Sequence, residues 1–186
     1  MVNMKDDLIE GLLLIETKVF NDHRGFFKET FRQNRLDEIL GLKRQFVQDN
    51  ESLSRKGVIR GLHFQTYPHC QAKLVRVASG RAFDVAVDLR PDSPTFGRWN
   101  AFELSAENGL AFYIPEGFAH GFMALSDNTA LSYKVTDYYA PECDGGIFWN
   151  DPQVGVDWPV AEIEPVISEK DKSLPRLSEL GRIRWA

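Results

Sequence analysis

His63, Gln65, Lys73 and His120 are the residues of this chain whose types and spacing could do chemistry together. Five residues separate Gly57 from His63, and six separate Lys73 from Gly80. Farther on, five residues lie between Gly109 and the run Pro115-Glu116-Gly117, and two more lie between Gly117 and His120. An imidazole can remove a proton, and an ammonium fixed nearby can stabilise the negative charge that forms, as an oxyanion hole does. That pairing points to chemistry through an enolate. His63 taken alone has a second reading, a satisfied histidine in an apolar strand.

The spacing matches the two motifs that mark cupin barrels, in which three His and one Glu hold a metal. Those four ligand positions fall on His63, Gln65, Lys73 and His120, with a somewhat longer gap before Lys73. Two ligands are missing, and one has become a cation that repels a metal ion. The frame therefore reads as a barrel that keeps its site and uses no metal. A metal-dependent cupin oxygenase or isomerase is the rival in a different class, and a non-catalytic sugar-binding cupin is another.

Strands must position these side chains, because apolar alternation of period two with closely spaced turn signals dominates the chain. The clearest hairpin runs from Leu74–Val77 through Ala78-Ser79-Gly80-Arg81 into Ala82–Leu89. Within its second strand Phe83, Val85, Val87 and Leu89 share one face, while Ala82, Asp84, Ala86 and Asp88 share the other. If Ser79-Gly80 is a two-residue turn, Val75 sits opposite Asp84 and Lys73 lies diagonal to it, so that Lys73 and Asp84 could pair. Arg60 and His63 are three apart on a strand, which puts them on opposite faces unless Gly61 makes a bulge. The polar cluster Asn21-Asp22-His23-Arg24-Gly25 reads as a turn. A helix is predicted over Arg35–Leu40 with Asn34 as N-cap, Asp37 completing a capping box and Gly41 as the stop, and a short one begins near Ser168.

Composition bounds the rest. With 186 residues, 43% hydrophobic and 26% charged, the chain is expected to form one domain over residues 1–186 with a real core. A net charge of −5 without clustered Lys and Arg argues against nucleic acid, so an anionic ligand must be held by a few placed cations. Cys70 and Cys143 have no CxxC spacing, the first residues lack the apolar run of a signal peptide, and no stretch is long enough to span a membrane. A cytoplasmic protein without disulfides or membrane contact is the expectation.

At RGLHFQ (60–65), QAKLVRV (71–77), IPEGFAHGF (114–122) and YKVTDYYAPE (133–142) the sequence resembles the dTDP-4-dehydrorhamnose 3,5-epimerases. DHRGFFKETF (22–31), FVQDNES (46–52), WNDP (149–152) and SEKD (168–171) extend the likeness over nearly the whole chain. The resemblance implies an all-β double-stranded β-helix (cupin, jelly-roll) barrel with a few short helices. It also implies an isomerase, with no cofactor, that inverts C3 and C5 of a dTDP-4-dehydro-6-deoxy sugar. By the same likeness His63 is the base, Asp171 the carboxylate behind it, Lys73 the stabiliser of the C4 enolate, and Tyr133 the acid on the opposite face of the sugar. Gln48, Asn50, Arg60, His120, Tyr139, Asp144 and Lys170 fall to substrate binding, with Tyr139 bordering the thymine. Arg24 and Glu29 fall to contacts from the partner in a homodimer. An enzyme that inverts only C3 or C5 would use the same residues.

Plainer roles stand beside these. Asp171 could close a capping box begun by Ser168, Tyr133 could be an ordinary barrel aromatic, and Arg24 and Glu29 could be solvated. Asp84 reads as a structural partner of Lys73 or His120. The chain departs from the family pattern at Cys143-Asp144-Gly145-Gly146, where a Glu-Arg pair often follows the APE segment. Asp144 takes the Glu position with a shorter reach, and the Arg is absent.

Overall fold

A computed structural model describes residues 8–161 and 163–185. Period-two alternation becomes strand, and the longer strands collect into two facing sheets. One sheet has the order β1 (Leu13–Glu16), β9 (Leu110–Ile114), β6 (Lys73–Ser79), β11 (Thr129–Val135) and β4 (Gln48–Ser54). The other has β12 (Asp144–Gly146), β5 (Val58–Gln65), β10 (Phe118–Ala124), β7 (Arg81–Asp88) and β8 (Trp99–Ser105), and β13 (Val166–Ile167) joins β5 in parallel. A separate hairpin pairs β2 (Val19–Asp22) with β3 (Gly25–Lys28) across the predicted turn cluster.

Apolar side chains from the inner faces fill the space between the sheets. Val75, Val77, Phe112, Ile114 and Leu131 come from the first sheet, and Ala82, Ala86, Leu104, Phe118, Phe122 and Ala124 from the second. On the outer face of the second sheet Val85, Val87 and Met123 are covered by Val154, Val156 and Trp158 from the segment after β12. On the outer face of the first, Leu74, Ala111 and Tyr113 are covered by Leu36 of helix α1 (Gln33–Leu40). The alternation read from β7 is therefore correct, with Val85 and Val87 facing out to this cover and Ala82 and Ala86 facing the barrel.

The predicted hairpin does not form. β6 and β7 lie in different sheets: β6 pairs with β9 and β11, and β7 with β8 and β10. At the junction Gly80 has φ +74°, and a Cβ there would meet Ser126 Oγ at 2.6 Å and Thr129 Oγ1 at 2.8 Å. The chain crosses between sheets at a spot only glycine fits. Both strands are buried on two faces, so each needs two ladder neighbours, and the later strands supply them.

Helix α1 ends at Gly41 in the left-handed conformation, as expected, but begins earlier than predicted. Arg32 stands at the N-cap without a side-chain hydrogen bond, and Asn34 lies inside the first turn. Asp37 completes no capping box because its carboxylate is turned to Gln33 Nε2 (2.7 Å) and to the Arg44 amide (3.2 Å). The second helix, α2 (Glu169–Lys172), starts where predicted, with the Ser168 side chain accepting from the Asp171 amide.

Candidate active site

One mouth of the barrel opens into a cavity of about 690 Å³ whose walls come from both sheets. From the first sheet come Gln48 and Asn50 on β4, Lys73 on β6 and Tyr133 on β11. From the second come Arg60 and His63 on β5, His120 on β10 and Asp144 on β12, while Lys170 and Asp171 enter on α2. Tyr139 stands at the rim, 55% exposed.

Arg60 and His63 reach the same cavity because the β5 ladder is irregular. His120 pairs with His63 and Phe122 with Arg60, so that two residues of β5 oppose the single Gly121 of β10. This is the bulge that spacing left open. Gly61 supports it with φ +120°, and a Cβ there would stand 2.6 Å from Gly121 Cα. Gly121 is matched to it, its own Cβ site lying 2.7 Å from the Arg60 carbonyl oxygen.

His63 Nε2 lies 2.7 Å from Asp171 Oδ1, and the Gly61 amide donates to Asp171 Oδ2 at 3.3 Å. Asp171 is 4% exposed. Burial works against its charge, but hydrogen bonds from His63, Gly61 and Ser168 prevail and hold its carboxyl below the usual range. The cap and the dyad therefore coexist: Asp171 gives its amide to Ser168 and its carboxylate to His63. With the carboxylate accepting Nε2–H, the imidazole lone pair lies on Nδ1.

Lys73 is buried, and its Nζ donates to the His63 carbonyl at 3.3 Å. Burial lowers its pKa to about 8, against the upward pull of Asp84 and Asp144. The predicted Lys73–Asp84 pair does not form, because with β6 and β7 in separate sheets the strand diagonal does not exist. Asp84 is held instead by His120 Nε2 at 3.0 Å, deep in the barrel. Tyr133 faces the cavity from the opposite sheet to His63, and burial raises its phenol pKa, outweighing the Arg60 charge that lowers it.

At the rim, Lys170 Nζ meets Asp144 Oδ2 at 2.5 Å, and Tyr139 OH donates to the same oxygen at 3.3 Å. Gly145 stands where the family pattern carries the Arg. Gly145 pairs with Phe64 on β5, and a Cβ on Gly145 would stand 2.8 Å from the Phe64 ring.

The donor set does not fit a metal. Gln65, at one ligand position, spends its amide on the backbone of His69, Tyr138 and Ala140, and the ammonium of Lys73 occupies another. The profile of the dTDP-4-dehydrorhamnose 3,5-epimerases matches residues 6–179. The chain belongs to this family. The family member of Salmonella typhimurium is 51% identical over 171 residues, covering 92% of this chain and 93% of its own. That of Methanothermobacter thermautotrophicus is 52% identical over 172 residues, 92% of each. The crystal structure of the Legionella pneumophila dTDP-6-deoxy-D-glucose-3,5-epimerase in complex with dTDP-4-keto-L-rhamnose superimposes with a TM-score of 0.91 at 47% identity, over 96% of this chain and 95% of that one. The two facing sheets are the family's cupin-like barrel.

Eleven of the thirteen site residues singled out from the sequence line the cavity: Gln48, Asn50, Arg60, His63, Lys73, His120, Tyr133, Tyr139, Asp144, Lys170 and Asp171. Arg24 and Glu29 do not. They lie on the exposed hairpin and the segment after it, paired with Asp22 and Arg32. Ser52 and Phe122 also line the cavity and were missed, although each continues a period-two series, Gln48-Asn50-Ser52 and His120-Phe122.

Proposed function

We infer that the protein inverts C3 and C5 of dTDP-4-dehydro-6-deoxy-D-glucose to give dTDP-4-dehydro-L-rhamnose, through an enolate. The reading rests chiefly on one arrangement, the His63–Asp171 dyad beside buried Lys73, with Tyr133 across the cavity. His63 Nδ1 takes the proton from the carbon beside the C4 ketone. Asp171 stabilises the imidazolium that results. The Lys73 ammonium, itself buried, faces the charge that moves onto the C4 oxygen. Tyr133, kept protonated by burial, gives a proton to the opposite face of the planar enolate, which inverts the carbon. C3 and C5 both flank C4, so one enolate stabiliser serves both.

Arg60 and Lys170 supply cations suited to the diphosphate, Arg60 through its planar fork. Gln48, Asn50 and His120 orient the sugar, and Tyr139 borders the thymine with Asp144 behind it. The protein acts as a homodimer in the cytoplasm, with Arg24 and Glu29 completing the partner's site. That reading is supported by their standing outside the lining of this chain's own cavity and by the exposed Phe20, Phe26 and Phe27 of the β2–β3 hairpin.

Incubation with the keto sugar in heavy water, followed by NMR, tests the assignment. Deuterium at C3 and C5 is the expected result. Deuterium at one carbon alone would identify a single-site epimerase, and exchange at neither would refute the epimerase reading.

A further inference from the structure

The segment Asp137–Ala140 carries Tyr139 to the cavity rim without belonging to any strand. Its backbone is held by side chains instead. Gln48 Oε1 accepts from the Tyr139 amide at 3.0 Å. Gln65 Oε1 accepts from the Ala140 amide at 2.8 Å, and Gln65 Nε2 donates to the carbonyls of Tyr138 at 3.2 Å and His69 at 2.6 Å. Two glutamines on β4 and β5 thus stand in for the missing ladder on both sides of Tyr139. Gln65 is 4% exposed, and the buried Ala140 amide that it satisfies carries the cost of an unpaired donor if it is removed.

We propose that Gln65 is a positioning residue for the nucleotide: it fixes the segment that presents Tyr139, and so sets the affinity for the thymidine end without entering the proton transfers. The proposal rests on the reading of Tyr139 as the thymine's neighbour. Its amide suits the task because it donates to two carbonyls and accepts from one N–H, which no carboxylate can do. A Glu at this position keeps the acceptor side toward Ala140 and turns a second oxygen against the carbonyls of His69 and Tyr138. The same geometry explains why this barrel position serves no metal: both ends of the side chain are already committed.

The experiment compares the wild-type protein with Gln65→Glu and Gln65→Ala, reading dTDP affinity by calorimetry and kcat and KM for the keto sugar. Wild-type turnover reports on the epimerase assignment by itself, and the ratio of variant to wild type reports on Gln65. Both variants are expected to weaken dTDP binding by about tenfold, the equivalent of about 1.4 kcal/mol, and to raise KM in step while kcat at saturation stays within about threefold. A double-mutant cycle separates positioning from general damage. In a Tyr139→Ala background, the further loss from Gln65→Ala should shrink to less than about twofold. Unchanged dTDP affinity, a fall in kcat at constant KM, or fully additive losses in the cycle would each overturn the proposal.

Discussion

Lys73 is costly to the fold, and in the proposed mechanism it serves the reaction. Its pKa of about 8, against an ordinary 10.5, reflects burial that Asp84 and Asp144 only partly offset, a difference worth on the order of 3 kcal/mol. Between about pH 8 and 10.5 the unfolded chain binds more protons at this site than the folded one, so stability rises with pH across that window. Below pH 8 the whole cost of the buried cation is present. In the proposed mechanism catalysis has the opposite sign, because there the enolate needs the ammonium. We expect kcat/KM to fall as pH rises through about 8, and Lys73→Met to raise the melting temperature near pH 7 while lowering turnover at least a hundredfold. A variant that is less stable than wild type would contradict this balance. Tyr133 offers a second test at the same scale. Tyr133→Phe leaves the dyad and Lys73 in place, so the substrate should still exchange its proton for deuterium while inversion is lost. NMR of the recovered sugar would show label with the original configuration, and equal loss of exchange and inversion would remove Tyr133 from the acid role.

At the scale of elements, the bulge in β5 decides whether Arg60 and His63 can share a ligand. A regular strand would point one of them away from the cavity. Gly61 permits the bulge through its positive φ and its closeness to Gly121. Gly61→Ala should therefore destabilise the protein by about 2 kcal/mol or more, from backbone strain added to the contact with Gly121. Denaturant unfolding would read this as a lower midpoint at unchanged slope, and a midpoint equal to wild type would refute the requirement for glycine. Helix α2 is the other element that bears on the site. Four residues long, it is held by its Ser168 cap and by the Asp171 carboxylate, which bonds β5 at Gly61 and His63. Its position depends on the active site as much as the site depends on it.

For the whole molecule, the unusual surface is the β2–β3 hairpin. Phe20, Phe26 and Phe27 are 51%, 57% and 69% exposed, a concentration of apolar surface of the kind found at interaction sites. In the homodimer reading this surface is covered by the second copy, and Arg24 and Glu29 travel with it. Phe27→Asp should shift the sedimentation mass from dimer to monomer and reduce turnover together. A variant that sediments as a monomer with full activity would separate the hairpin from the site. Among the described residues no helix is long and apolar enough to cross a membrane.

Much of the site was legible in the sequence because strand periodicity is local. Alternation assigns each residue of β7 to a face, Ser168 announces α2, and Gly41 stops α1, each from interactions spanning a few residues. The order of the motifs along the chain carried the family, and with it His63, Lys73, Tyr133 and Asp171 as candidates. Pairing between strands was not legible. The run from Leu74 to Leu89 reads as a hairpin by turn chemistry, yet β6 and β7 part into opposite sheets, since each is buried on both faces and finds its neighbours among strands formed later in the chain. That separation gave Asp84 to His120 rather than to Lys73. Likewise the sequence left Arg60 and His63 on uncertain faces, and only packing against Gly121 brought them together. Side-chain types and their alternation are set residue by residue, but which two strands share a ladder is decided by the burial of the complete barrel.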